Sequence, residues 1–198
     1  MDRETIAVYD AKFEDYANLF TSDKPSASLL RFINAVAPEG SVVDLGCGPG
    51  NSARAMAVSG LKVTAVDASA GMISLVEGTP NITAVQADFS WLDQTAAFDG
   101  IWANFSLLHA EREAFAGHLH AAAAALKPGG ILHLGMKTGE GSKRDALGRR
   151  YCYFTRSEFE LMLLNEGFDI LHVKEGEEVG LAGNLDPFIL ILARRQSA

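Results

Sequence analysis

A chain of 198 residues and 21.2 kDa fits one domain and one sizeable core, and 48% hydrophobic with 21% charged residues excludes both disorder and a fibrous architecture. The net charge of -8 repels phosphate backbones, which makes nucleic acid an unlikely partner and favours a small molecule. No apolar run reaches the roughly 20 residues that span a bilayer, and the start, MDRETIAVYD, lacks the apolar stretch of a secretory signal, so a cytoplasmic protein without membrane contact is expected.

In chain order, residues 3–20 and 26–36 read as helices, the second opening at Ser26 after Pro25 and closing before Pro38-Glu39-Gly40. They form an N-terminal cap over 1–38. Tyr9 and Tyr16, seven residues apart, share a face of the first, either packed on the domain or serving as a lid. SVVDLG (41–46), LKVTAVD (61–67), NITAVQAD (81–88), FDGIWAN (98–104) and GILHLGMK (130–137) read as parallel strands. Helices are predicted between them at 51–59, 69–77 and 110–126, the last stopping at KPGG. Residues 138–153 are a glycine-containing loop with Lys143, Arg144, Arg149 and Arg150 beside Tyr151 and Tyr153. They suit an acidic small molecule, or else form a solvated loop, and 138–154 is the candidate substrate loop. Thr155 and Glu158 form a capping box for a helix that Gly167 stops. The last candidates, 167–175 and 186–195, are joined by a loop of about ten residues with no helix, so they should pair antiparallel. The alternation predicts an α/β fold, doubly wound and mostly parallel with helices on both faces, as a single domain over 1–198.

The stretch VVDLGCGPG runs a buried strand into Gly46, Gly48 and Gly50 and then a helix. That arrangement brings unpaired N–H groups and the positive end of a helix dipole to one point and lets a ligand approach the backbone. Asp67 ends the second strand about 20 residues after the first glycine, where a carboxylate accepts from two ribose hydroxyls. Asp88 ends the third, where it accepts from an adenine amine while Phe89 covers the ring. Either acid alone also reads as a helix cap. The glycine spacing is G-x-G-x-G, with Asn51 where a nicotinamide-binding fingerprint has its third glycine. Asp44, two residues before the first glycine, repels a pyrophosphate and suits an ammonium or sulfonium.

DLGCGPG, Asp67 closing VTAVD, QADF at 86–89, FDGIWANFSLLH at 98–109 and LKPGG at 126–130 resemble the successive motifs of class I S-adenosylmethionine-dependent methyltransferases. The resemblance runs from about 41 to 137 and resumes in the final hairpin. It implies a seven-stranded Rossmann-like sheet with an antiparallel last strand inserted in it. It also implies S-adenosylmethionine as cofactor, with Gly46 and Gly48 near its methionine part and Asp67, followed by Ala68, at its ribose. Met72, Asp88 and Phe89 would lie near the adenine, and Asn104 beneath the methionine part. Residues 135–168 and the short N-terminal helices further resemble a compact bacterial group of such enzymes.

Methyl transfer from a sulfonium needs alignment more than catalytic side chains. Where the nucleophile carries a proton, His109 is the candidate base and Asn104 a positioning group, although His109 also reads as a packing histidine. His118, His120, His133 and His172 read as structural. They show no metal-ligand spacing, and neither do Cys47 and Cys152, so no metal is expected. Asn104 is followed by Phe-Ser-Leu rather than the Pro-Pro-aromatic run that the superfamily's nucleic-acid amino-methylating members carry. The expected function is methylation of a small acceptor. Its rivals are a cofactor-binding regulator without activity and an NAD-dependent oxidoreductase.

Overall fold

A computed structural model describes residues 2–19, 24–180, 183 and 185–197. Its strands are β1 (Ser41–Leu45), β2 (Lys62–Asp67), β3 (Ile82–Gln86), β4 (Phe98–Asn104), β5 (Leu126–Lys137), β6 (Ser142–Arg144), β7 (Arg150–Cys152), β8 (Phe168–Val179) and β9 (Leu185–Arg195). Its helices are α1 (Arg3–Ala11), α2 (Phe13–Leu19), α3 (Ala27–Ala35), α4 (Asn51–Val58), α5 (Ala70–Ser74), α6 (Phe115–Ala125) and α7 (Arg156–Asn165). Seven strands form one sheet in the order β3-β2-β1-β4-β5-β9-β8. Neighbours from β3 to β5 are parallel, and β9 lies antiparallel to both β5 and β8.

Successive residues of a strand face opposite sides, so each central strand feeds two cores. Val43, Ile101 and Leu132 point to the face covered by Phe115 and Leu119 of α6 and Phe159 and Leu163 of α7. Val42, Trp102 and Ile131 point to the other, under Phe32 of α3 and Met56 of α4. The fold is the doubly wound, mostly parallel sheet expected, with its last strand antiparallel.

Local signals set several boundaries as read. Ser26 Oγ accepts from Leu29 N, and at α7 Thr155 N donates to Glu158 Oε2 while Glu158 N donates to Thr155 Oγ1. Other boundaries differ. The helix expected over 3–20 is broken at Lys12 (φ -126°), and Phe20 lies outside the described residues. The helix expected over 69–77 stops at Ser74, because Leu75 N and Val76 N tighten onto carbonyls three residues back and Ser74 Oγ takes the Gly71 carbonyl. That expected over 110–126 begins with a separate 3-10 turn, Arg112–Ala114, and gives way to β5 at Leu126. A register shift between Phe98 and Gly100 accommodates the KPGG segment. β3 ends at Gln86, before Asp88.

The largest difference falls at 138–153, expected as a loop. It folds as an antiparallel ribbon, with Lys143 opposite Tyr151. Its turn is built by Asp145, whose Oδ1 accepts from Leu147 N and Arg149 N. β8 and β9 also run longer than expected, leaving a shorter connection of which 181, 182 and 184 lie outside the described residues. No helix among the described residues is long and apolar enough to cross a membrane.

Candidate active site

Parallel strands deliver their following turns to one edge of the sheet, the edge where ligands of open α/β folds bind. There the ends of β1, β2 and β4 open into a cleft of about 820 Å³. Asp44, Gly46, Gly48, Asp67, Ala68, Met72, Phe89, Asn104 and His109 line it together. Gly50 and Asp88 do not.

The N–H groups of the glycine turn, expected to be unpaired, have partners within the protein. Gly46 N and Cys47 N both donate to Val66 O, Gly48 N donates to Asp67 Oδ2 at 2.9 Å, and Gly50 N to Cys47 O. The turn's own donors are thus consumed by the protein, and what it presents to the cleft is acid and bare backbone. The glycines also divide their roles. A Cβ on Gly46 (φ +75°) would lie 2.3 Å from Ser106 Cβ, and one on Gly50 (φ +81°) 2.6 Å from Val76 Cγ2, so both give way to side chains. A Cβ on Gly48 would meet nothing nearer than Tyr16 Cε1 at 3.9 Å, and this glycine leaves the backbone open to the cleft.

Asp44 is 2% exposed, and its Oδ2 has no hydrogen-bond partner among the described residues. Burial, and secondarily the charge of Asp67, pushes its carboxyl up to about 8. Asp67 is also raised by burial, opposed by its bonds from Ser69 N (2.9 Å) and Gly48 N. Asp88 sits outside the cleft wall as the cap of a 3-10 turn over Phe89–Trp91, accepting from Ser90 Oγ and N, which hold its carboxyl low. For this acid the structure realises the cap alternative. Phe89 does line the cleft, edge-on to His118.

At the end of β4, Asn104 Oδ1 lies 3.0 Å from Nε2 of His133. His133 stacks on Trp102 with ring centroids 3.7 Å apart, and burial drives its pKa down to about 3, so it is neutral and donates. His109 is 3% exposed and held down to about 4 by burial. Its Nδ1 faces Arg150 O at 2.6 Å, and a carbonyl only accepts, so Nδ1 carries the proton and Nε2 receives the Tyr9 hydroxyl at 2.8 Å. Arg149 Nη1 in turn donates to Tyr9 Oη (3.1 Å), while Nε and Nη2 grip Asp145 Oδ2 at 2.9 and 2.6 Å. The basic nitrogen of His109 is therefore already engaged.

The basic residues of 142–150 separate. Arg144 pairs with Asp2 and Glu4, Arg150 with Glu111, and Lys143 sits over the Tyr153 ring. Arg149 alone of the four enters the cleft wall, with Tyr151. Tyr9 and Tyr16 both line the cleft, edge to face at 5.5 Å. Sequence reasoning missed Lys137, Phe105 and Ser106, also in the wall. Lys137 carried no signal at the end of an apolar strand, and Ser106 is one serine among many. Among the described residues no group of three or more His, Cys, Asp or Glu is placed to hold a metal ion.

The sheet order and the position of the cleft define the class I methyltransferase fold. Residues 42–130, which hold the glycine turn and the strand ends that line the cleft, match the methyltransferase domain family. A trans-aconitate 2-methyltransferase of Paracidovorax citrulli is 44% identical over 103 residues, 48% of this chain and 38% of that protein. A cypemycin N-terminal methyltransferase of a Streptomyces species is 35% identical over 136 residues, 65% of this chain and 56% of that protein. The chain thus spans between about a third and somewhat over half of these relatives' lengths. Among solved structures, the Burkholderia thailandensis 1,6-didemethyltoxoflavin-N1-methyltransferase, bound to S-adenosylhomocysteine, superposes with a TM-score of 0.75 at 21% identity, covering 98% of this chain and 88% of that one.

Proposed function

We propose that this protein binds S-adenosylmethionine in the cleft and methylates a small acidic molecule. The observation that carries the cofactor reading is the buried Oδ2 of Asp44, without a partner among the described residues, on a side chain that lines the same cleft as Asp67. A ligand with an ammonium at one end and ribose hydroxyls at the other satisfies both acids. The cofactor supplies an activated methyl on a sulfonium, so the protein's task is alignment and exclusion of water. Gly48 admits the ligand to the backbone, Phe89 and Met72 offer apolar surface to a base, and Tyr9 and Tyr16 roof the cleft. The occupied N–H donors of the glycine turn speak against a pyrophosphate and hence against the NAD reading.

The charges in the wall support an acidic acceptor. Besides Asp44 and Asp67 at the strand ends, the cleft is lined by Lys137, Arg149 and Lys174 with the acid Glu178, whereas Asp186 and Asp145, which pair with Lys137 and Arg149, are not part of its lining. The two relatives are named for trans-aconitate, an acid, and for the N-terminus of cypemycin, and this lining favours an acid. His109 acts as base only through Tyr9, and a carboxylate nucleophile needs no base.

Isothermal titration with S-adenosylmethionine and S-adenosylhomocysteine should give micromolar-range binding. Labelled methyl groups from the cofactor should appear in acidic metabolite fractions. Absence of binding defeats the cofactor reading. Binding without incorporation into any fraction favours a non-catalytic cofactor sensor, and label only in neutral or basic fractions defeats the acidic acceptor.

A further inference from the structure

One face of the β5–β9–β8 part of the sheet belongs to the cleft wall. Lys137, Phe188 and Gly176 lie directly opposite one another across these three strands, so Lys137 and Phe188 share that face. Gly176 gives its place to the Phe188 ring, since a Cβ there would come within 2.7 Å of Phe188 Cζ. Phe105, partly buried, meets the same ring edge to face with centroids 6.0 Å apart. It is held at φ +54°, a left-handed conformation that a bulky side chain adopts only under constraint, with Phe105 N bound to Gly135 O at 2.8 Å. Lys137 Nζ also stands 4.4 Å from the centre of the Tyr151 ring. Tyr151, Lys137, Phe188 and Phe105 are thus linked neighbour to neighbour, and all four line the cleft.

Two kinds of surface therefore adjoin. Phe188 and Phe105 are flat and apolar. Lys137 gives one of its three N–H groups to Asp186, which fixes the ammonium and leaves two. Tyr151 is 4% exposed, yet its hydroxyl takes part in no hydrogen bond among the described residues. Burial raises its pKa, so the hydroxyl keeps its proton and donates. Donors with spare capacity beside paired rings suit a ligand with accepting oxygens at one end and a ring at the other. An aliphatic polyacid would set its further carboxylates against rings whose faces are themselves negative. We propose that the methyl acceptor is an aromatic carboxylate, its carboxylate held by Lys137 Nζ and Tyr151 Oη and its ring packed on Phe188 and Phe105. The inference rests on the acidic acceptor proposed above.

The wild type saturated with S-adenosylhomocysteine would be titrated by calorimetry with three acids. These are benzoate; cyclohexanecarboxylate, which matches it in charge and carbon count but has no flat ring; and the aliphatic acid succinate. Benzoate should bind about fivefold more tightly than cyclohexanecarboxylate, through ring pairing. Tyr151→Phe should weaken benzoate about tenfold, as expected for one hydrogen bond to a charged group. Its affinity for S-adenosylhomocysteine and its unliganded thermal midpoint should stay unchanged, because the hydroxyl holds nothing within the protein. Phe188→Leu should erase the preference for benzoate. Equal binding of the two ring acids, or benzoate binding untouched by Tyr151→Phe, overturns the assignment. Binding of succinate without benzoate overturns the aromatic class while leaving the acidic acceptor intact. A cofactor-loaded wild type that binds none of the three defeats the acidic acceptor, and this inference with it.

Discussion

The carboxyl of Asp44, buried near the end of β1 and pushed up to about 8, keeps its proton where the unfolded chain has lost it. Between pH about 4 and 8 the folded state therefore binds more protons than the unfolded one, and stability falls as pH rises through that window. Asp67, raised in the same direction, adds to the slope. Asp44→Asn should flatten the decline of the thermal midpoint across this range; an unchanged slope would show that Asp44 is ionised in the free protein. An ammonium bound beside Asp44 favours the ionised carboxylate, so cofactor affinity should tighten from pH about 6 toward 8 in the wild type and lose that trend in Asp44→Asn.

At the scale of elements, α1 behaves as a strap tied at successive points. Asp2 holds Arg144, Thr5 Oγ1 accepts from Arg150 N, Tyr9 joins His109 to Arg149, and Asp10 accepts from Ser69 Oγ and Gly71 N. Tyr9→Phe should cost about 1–3 kcal/mol in denaturant unfolding, because it strips a partner from a buried imidazole and a buried guanidinium at once. The imidazole nitrogen signals of His109 should move with it. A neutral effect would mean the strap is not held through Tyr9. Helix caps and strand faces were legible in the sequence because their determinants are close neighbours, as with Thr155 and Glu158. The β6–β7 ribbon was not. Its glycines and charges read as loop, and what orders it is the meeting of Arg150 with Thr5, 145 residues away, and of Arg149 with Tyr9, 140 away. The same limit hid the Ser106 contact with Gly46, whereas the cap made by Asp88 rests on Ser90, two residues on, and was legible as one of its two readings.

Over the whole molecule, two cores sandwich one sheet, and each depends on large side chains that are fully enclosed. Phe159 closes the α7 side against Phe115 and Phe154 at 5.8 and 5.3 Å between ring centres. Phe159→Ala should cost about 3–5 kcal/mol of unfolding free energy, readable as a large drop in denaturation midpoint, with the cofactor end of the cleft unaltered in the variant that remains folded. A loss under about 1 kcal/mol would mean that this face collapses to fill the gap. The sheet order was legible only through the motif series, since alternating strands and helices are common to every doubly wound fold.

The placement of β9 between β5 and β8 has a consequence for assembly. β8 touches the rest of the sheet only by way of a segment that comes later in the chain, so it must linger without a neighbour while the flank of β5 stays bare. A polypeptide interrupted before Leu185 forfeits two strands rather than one, and the moment of greatest vulnerability to clumping falls just before the last insertion snaps the row shut.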